Sequence, residues 1–209
     1  KQDQIAALEA LADYLDAPEV ALDEDSSLPE IPAGDMTAET VGAVIANLLP
    51  ENAIVSDESN TSGAFSYNYY DNAAPHDWLT LTGGAIGQGL PVAVGAAIAC
   101  PNRKVINLQA DGSAMYTNQS LWTMAREGLD VCTIIYNNSS YAILNLELMR
   151  VGVMNPGERA KSMLELSNPN IEWTKIAEGM GVKASRVTST EEFKARFEEA
   201  MASKGPRLI

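Results

Sequence analysis

Histidine is almost absent from this sequence: His76 is the only one in 209 residues. Cysteine is scarce too, with Cys100 and Cys132 far apart and in no CxxC pattern. A zinc centre built on His and Cys ligands is therefore excluded. A metal here would need oxygen ligands, which favours magnesium or calcium. The two cysteines read as reduced core residues of a cytoplasmic protein. No run of about 18 apolar residues occurs, so no membrane span is predicted. The start, "KQDQIAALEALADYLD", carries acids and no apolar signal core. Bases are missing where acids abound: residues 1–60 hold 14 acids against Lys1 alone, while residues 61–209 hold 14 acids against 13 bases. Neither part offers the basic patch of a nucleic-acid binder. The P-loop pattern GxxxxGK[ST] and the dinucleotide fingerprint GxGxxG are also absent.

What is present is a globular composition, 46% apolar and 20% charged, long enough for one sizeable domain. Ile5, Leu8, Leu11 and Leu15 recur at helical spacing. The following "DAPEVALDEDSSLPEIPAGD" reads as a linker, so residues 1–34 are expected to be the helix and linker ending a preceding domain, and residues 35–209 a domain of their own. The chain begins without Met and stops at "GPRLI", the opening of a final strand, so both ends look cut. From Thr37, a helix N-cap, a strand–helix rhythm runs onward. Strands are predicted at "AIVSD" (53–57), "WLTL" (78–81), "KVINLQ" (104–109), "VCTIIY" (131–136) and "VKASRV" (182–187). Helices are predicted after "GGAIGQG", over 117–128, near 171–180 and near 191–203. Such alternation implies an α/β fold, a three-layer, doubly wound, mainly parallel sheet covered on both faces.

Ligands of such sheets bind at the carboxyl ends of strands. Four small polar or glycine-rich loops fall there: "ESNTSG", "TGGAIG", "ADGS" and "NNSS". Each alone is an ordinary turn or cap. Together they place Asp111 and Asn138 at the ends of strands that a right-handed crossover makes neighbours. One carboxylate beside one carboxamide suits a magnesium ion whose charge is balanced mainly by a diphosphate. Gly112 would let the backbone come close to that diphosphate.

The segment "ADGSAMYTNQSLWTMAREGLDVCTIIYNNSSYAIL" resembles the thiamine-diphosphate motif, GDG followed about two dozen residues later by NN. "LTGGAIGQGLPVAVGAAIA" is similar to the matching segment of benzoylformate decarboxylase, pyruvate decarboxylase and acetolactate synthase large subunits. The resemblance implies a thiamine-diphosphate-binding fold from about Thr37 onward, with thiamine diphosphate and Mg2+ as cofactors. It implies Asp111 and Asn138 as metal ligands through side-chain oxygens, and Ser140 through its carbonyl. Asn137 would be the structural member of the pair, satisfying loop backbone. Gly112 and Ser113 would meet the diphosphate, with Asn60 and Thr61 on its other side. The Gly84 carbonyl would accept from the cofactor's 4′-amino group, and Ile86 would be the wedge that bends the cofactor into a V. Tyr141 and Ala142 would line the pocket.

Ala110 stands where the motif has its first glycine, which requires ordinary strand dihedrals there. The resemblance also implies an activating glutamate on a separate pyrimidine-binding domain, acting across a subunit interface. No segment here is similar to that domain, so this chain alone would hold half an active site and no catalytic residue of its own. The partner would be a small 2-oxo acid, with no nucleic acid and no membrane, in a homodimer or homotetramer. Acetolactate-synthase-like, decarboxylase-like and non-catalytic cofactor-binding readings all stay open, as does an unrelated nucleotide-binding α/β protein. Trp122, Met124 and Leu121 read as core, His76 as a surface residue, and residues 149–170 as a long connection over the site. Met115 and Tyr116 could meet the cofactor or simply pack.

Overall fold

Three apolar runs form the centre of the sheet: β1 (Ala53–Glu58), β3 (Val105–Ala110) and β4 (Val131–Tyr136), with β2 (His76–Leu79) between the first two in sequence. The computed structural model describes residues 3–18 and 27–209. The predicted linker falls partly on 19–26, outside the described residues. Two short strands, β5 (Lys183–Ala184) and β6 (Arg207–Leu208), complete a six-stranded sheet in the order β2-β1-β3-β4-β6-β5. Every strand pairing is parallel. Parallel neighbours need crossovers, and these are supplied by helices packed on both faces.

Before the sheet come α1 (Gln4–Tyr14) and α2 (Ala38–Leu48). Thr37 caps α2 in a reciprocal box with Thr40, satisfying two N–H groups that the first turn leaves free. α1 keeps the predicted apolar row, but Ile5, Leu8, Leu11 and Tyr14 all lie exposed. Residues 27–36 lie against the sheet domain: Ile31 packs on its core, Pro29 O accepts from Asn47, and Asp35 bridges Ser189.

Between strands run α3 (Asn60–Gly63), α4 (Gly89–Ala99), α5 (Asp111–Thr117), α6 (Ser120–Glu127), α7 (Ala142–Arg150), α8 (Glu158–Leu164), α9 (Trp173–Gly179) and α10 (Thr190–Ala202). Side chains alternate across each strand, so two cores form. On one face Val55, Ile106, Leu108 and Ile134 meet Val44 and Ile45 of α2 and Phe193 and Phe197 of α10. On the other, Ile54, Val105 and Val131 meet Leu90 and Ala93 of α4, Leu121 and Met124 of α6, and Trp173 of α9. This is the expected three-layer, doubly wound arrangement.

Several sequence expectations need correction. The second strand is His76–Leu79, not 78–81, because its pairing with β1 begins at His76↔Ala53. The helix expected over 117–128 forms as α6 (Ser120–Glu127), but a separate helix not expected from the sequence, α5, precedes it from Asp111. "VKASRV" is strand only at Lys183–Ala184, the length over which β6 pairs with it. The 149–170 connection carries helix of its own, holding the end of α7 and all of α8. Trp122 is not core: it is 52% exposed, with the Arg126 guanidinium 4.9 Å from its ring centre.

Candidate functional site

Strands β3 and β4 are adjacent, with Ala110 paired to Tyr136, so Asp111 and the Asn137–Asn138 loop leave neighbouring strand ends. Ala110 keeps extended dihedrals (φ −74°, ψ 142°), which is why alanine serves in place of the motif's glycine. Asp111 is 1% exposed. Its Oδ1 accepts from Gly112 N at 2.8 Å and its Oδ2 from Ser139 N at 2.7 Å. Burial pushes its carboxyl up from the usual carboxylate range, and these backbone N–H groups oppose the shift. The carboxyl thus ties the start of α5 to the loop after β4. Each of its oxygens has lone-pair capacity for a further partner.

Loop 137–141 is knotted by its own side chains. Asn137 Oδ1 accepts from Ser139 N and Oγ at 3.2 Å, and Asn138 Oδ1 accepts from Ser140 N at 2.9 Å. Ser139 takes a left-handed φ of 54°. Asn137 and Asn138 therefore both satisfy loop backbone, and the expected division of the pair into one structural and one ligand-binding member is not visible here. The incoming 164–166 segment lies antiparallel to the loop: Tyr141 N donates to Leu164 O and Leu166 N to Ser139 O. The Ser140 hydroxyl donates to Leu164 O and accepts from Asn145. Tyr141 lays its ring on Gly112, where a Cβ would stand 2.7 Å from Cδ1. Gly112 is thus required by the Tyr141 ring, and its N–H serves Asp111. Ala142 opens α7.

Across the reversal in strand order between β1 and β3, Asn60 Nδ2 donates to Ser113 Oγ at 2.8 Å. Asn60 has a left-handed φ of 50°, and Thr61 follows it on α3. Carboxyl, carboxamide, hydroxyl and backbone groups thus gather at one edge. Among the described residues no three His, Cys, Asp or Glu side chains group to hold a metal. A cation at this edge would need amide, carbonyl and ligand oxygens besides Asp111.

The glycine loop is a second unit. Gly83, Gly84 and Gly87 all have positive φ, at 64°, 67° and 92°. Ala85 (φ −74°, ψ 80°) centres an inverse γ-turn in which Ile86 N donates to Gly84 O at 2.9 Å. The Gly84 carbonyl and the 43%-exposed Ile86 side chain are therefore presented as one piece. Met115 and Tyr116 are also exposed, and the Tyr116 Cβ crowds the Gly87 Cα face.

The sequence did not reveal that the acids at the end of β1, beneath these loops, are buried. Asp57 and Glu58 end β1 and point to opposite faces. Asp57 is 5% exposed; its Oδ1 accepts from Ser59 N at 2.9 Å and Ser59 Oγ at 2.5 Å, just before α3. Tyr67 donates to Asp57 Oδ2 at 2.6 Å; burial, then this bond, push its phenol up to about 12. Glu58 is 1% exposed and lies opposite Gln109 in the sheet register. Gln109 and Asn107, both polar inside "VINLQA", were the available signal: polar side chains buried in a central strand call for hydrogen-bond partners close by. His76 lies at the sheet edge, its Nδ1 2.8 Å from Ala74 O, away from these loops. A cavity of about 480 Å³ lies past the end of β6 among Ile134, Tyr136, Val187 and Phe193, and it reaches the site loops at Ser62, Asn137 and Asn138.

Fold and site together define a doubly wound parallel α/β domain that receives its ligand at the carboxyl edge of the sheet. Residues 61–209 match the family described as thiamine pyrophosphate enzyme, C-terminal TPP binding domain, and the chain belongs to that family. A Mycobacterium tuberculosis protein named as acetolactate synthase large subunit IlvX is 53% identical over 204 residues, 97% of this chain and 40% of that protein. Benzoylformate decarboxylase of Pseudomonas aeruginosa is 32% identical over 188 residues, 88% of this chain and 34% of that enzyme. The structure of a thiamine diphosphate-dependent 4-hydroxybenzoylformate decarboxylase from Rhodococcus jostii RHA1 matches with a TM-score of 0.80 at 29% identity, over 98% of this chain and 38% of that one. The chain thus spans 40% or less of the length of these relatives.

Proposed function

We propose that this chain holds the metal-diphosphate half of thiamine diphosphate in an acetolactate synthase-like enzyme acting on 2-oxo acids. The observation that carries the reading is Asp111, buried and tied by its two oxygens to Gly112 and Ser139, next to Asn138 on the adjacent strand end. One carboxylate with neutral oxygen donors fits a Mg2+ ion that shares its remaining positions with diphosphate oxygens. Asp111, the Asn138 carboxamide and the Ser140 carbonyl would hold the metal. Asn60, Thr61, Gly112 and Ser113 would flank the diphosphate. The second lone pair of the Gly84 carbonyl would meet the aminopyrimidine, with Ile86 against the thiazolium and Tyr141 and Ala142 lining the pocket.

When bound, the cofactor supplies the electron sink for the carbon–carbon bond broken beside the 2-oxo group. This chain's residues bind and orient it. The proton-handling glutamate is expected on another domain, contributed by a second subunit of a cytoplasmic homodimer or homotetramer. The TM-score of 0.80 with a decarboxylase over nearly the whole chain supports a second reading, 2-oxo acid decarboxylation without carboligation. Calorimetry on the full-length protein tests the binding step: thiamine diphosphate should bind with Mg2+ present and be released by a chelator. Binding that survives chelation would overturn the metal assignment. Product analysis with pyruvate then separates acetolactate from aldehyde.

A further inference from the structure

Glu58 is a buried carboxyl group on the sheet face that packs against Leu90 and Ala93 of α4, in line with Ile54 and Ser56 of its own strand and opposite Gln109. Such a group is costly to bury unless its oxygens are satisfied. Here they are satisfied by the glycine loop. Oε1 accepts from Gly87 N at 2.5 Å, and Oε2 accepts from Gly89 N at 2.7 Å. Gln109 Nε2 donates to the same Oε2 at 2.9 Å, holding the carboxyl from the neighbouring strand. The carbonyls of the same two glycines are held as well: Thr117 Oγ1 donates to Gly87 O at 2.7 Å, and Ser56 Oγ to Gly89 O at 2.9 Å. Gly89 also lies so close that a Cβ there would stand 2.7 Å from the Glu58 Cβ. Toward the tip the situation reverses. Cβ atoms at Gly83 and Gly84 would meet nothing within 4 Å.

We propose that Glu58 is a positioning residue that fixes the register of the glycine loop, and through it the Gly84 carbonyl and the Ile86 side chain, for the ring end of the cofactor. The inference rests on the thiamine diphosphate reading above. The link is one residue long: Gly87, whose N–H Glu58 holds, follows Ile86, and Ile86 N is bonded to Gly84 O in the γ-turn. A shift at Gly87 moves both groups together. Glu58 lies below the loop and acts only through its backbone.

Glu58→Gln tests this in the full-length protein. The variant keeps the shape but turns an NH2 group toward an N–H donor, leaving one loop N–H without an acceptor. Calorimetry in excess Mg2+ compares two probes, thiamine diphosphate and inorganic diphosphate, which has no rings to meet Gly84 or Ile86. The expected result is a loss of roughly tenfold or more for thiamine diphosphate and of no more than about twofold for inorganic diphosphate. Unchanged thiamine diphosphate affinity overturns the inference. So does an equal loss for both probes, which would mean that the whole edge has collapsed. Should Glu58→Gln fail to fold by circular dichroism, Thr117→Val carries the test by releasing the Gly87 carbonyl from a half-buried position. It should weaken thiamine diphosphate by about threefold and leave inorganic diphosphate unchanged. No change for thiamine diphosphate overturns the inference. A wild-type protein that binds neither probe overturns the functional reading and this inference with it. Wild-type binding with indifferent variants overturns this inference alone.

Discussion

In loop 83–89 the backbone is gripped from outside, by Ser56 and Glu58 of β1 and Thr117 of α5. In loop 137–141 the side chains of Asn137 and Asn138 bond the loop's own backbone, and both are exposed. The first loop takes its shape from the folded sheet, because its anchors are buried strand and helix residues. The second takes its shape from local Asx turns, with Asp111 as its buried anchor. The difference fits what each loop is proposed to meet. Two rings joined by one rotatable methylene bridge need a loop whose shape is fixed in advance if the angle between them is to be set. A metal ion needs oxygens that can be redirected, and the Asn138 oxygen, now serving Ser140 N, keeps a lone pair free for that.

The strongest way to break this contrast is Asp111→Ala. The substitution removes the one carboxyl proposed for the metal and also frees Ser139 N from its partner. Mg2+-dependent affinity should fall by roughly 100-fold or more, at least as much as losing a group that only supports a metal ligand. The loss should be the same for thiamine diphosphate and inorganic diphosphate. That equality is the opposite of the split expected for Glu58→Gln. Titration calorimetry on both probes reads it, and undiminished affinity would remove the metal assignment.

Gly112→Ala probes the packing of the start of α5 against loop 137–141. Its new Cβ would stand 2.7 Å from the Tyr141 ring. The ring has to move, at a cost of about 1–3 kcal/mol in unfolding free energy, the usual range for overpacking a filled site. Urea denaturation measures it. The double variant with Tyr141→Ala should recover part of the loss, because the two changes share one contact. A double variant less stable than the sum of the singles would show that the ring is not the obstacle.

Much of this architecture was legible in the sequence. The central strands were, because "AIVSD", "KVINLQ" and "VCTIIY" are apolar runs buried on both faces. Asp111 and Asn138 were placed together because crossover handedness makes β3 and β4 neighbours. The start of α5 was missed because Asp-Gly reads locally as a turn, whereas here Asp111 is already the first helical residue. The clamp under the glycine loop was missed for a different reason. Glu58 and Gln109 are 51 positions apart, and only the strand register sets them side by side. Nothing local marks Glu58 as buried, since it adjoins a polar loop that would be as content with an exposed acid. Trp122 was misplaced because a large aromatic in an amphipathic helix fits the core face by composition, while its actual face carries Arg126 instead.

The smallest effect belongs to Ser140→Ala, and it tests which atom of Ser140 matters. The hydroxyl donates to Leu164 O at 3.2 Å and accepts from Asn145 Nδ2 at 3.2 Å, so it is engaged by two protein partners. Removing it should cost about 0.5–1.5 kcal/mol of stability, the range for one ordinary hydrogen bond. The backbone carbonyl proposed for the metal is untouched, and the Ser140 N–H still reaches Asn138. Mg2+-dependent affinity for inorganic diphosphate should therefore stay within about twofold, less than the loss of even one net hydrogen bond would give at its upper range. A tenfold loss would instead make the hydroxyl the ligand. Loop 137–141 would then be held at the metal by a side chain, as loop 83–89 is held at its base by Glu58, and the contrast between the two loops would narrow to the position of the anchor.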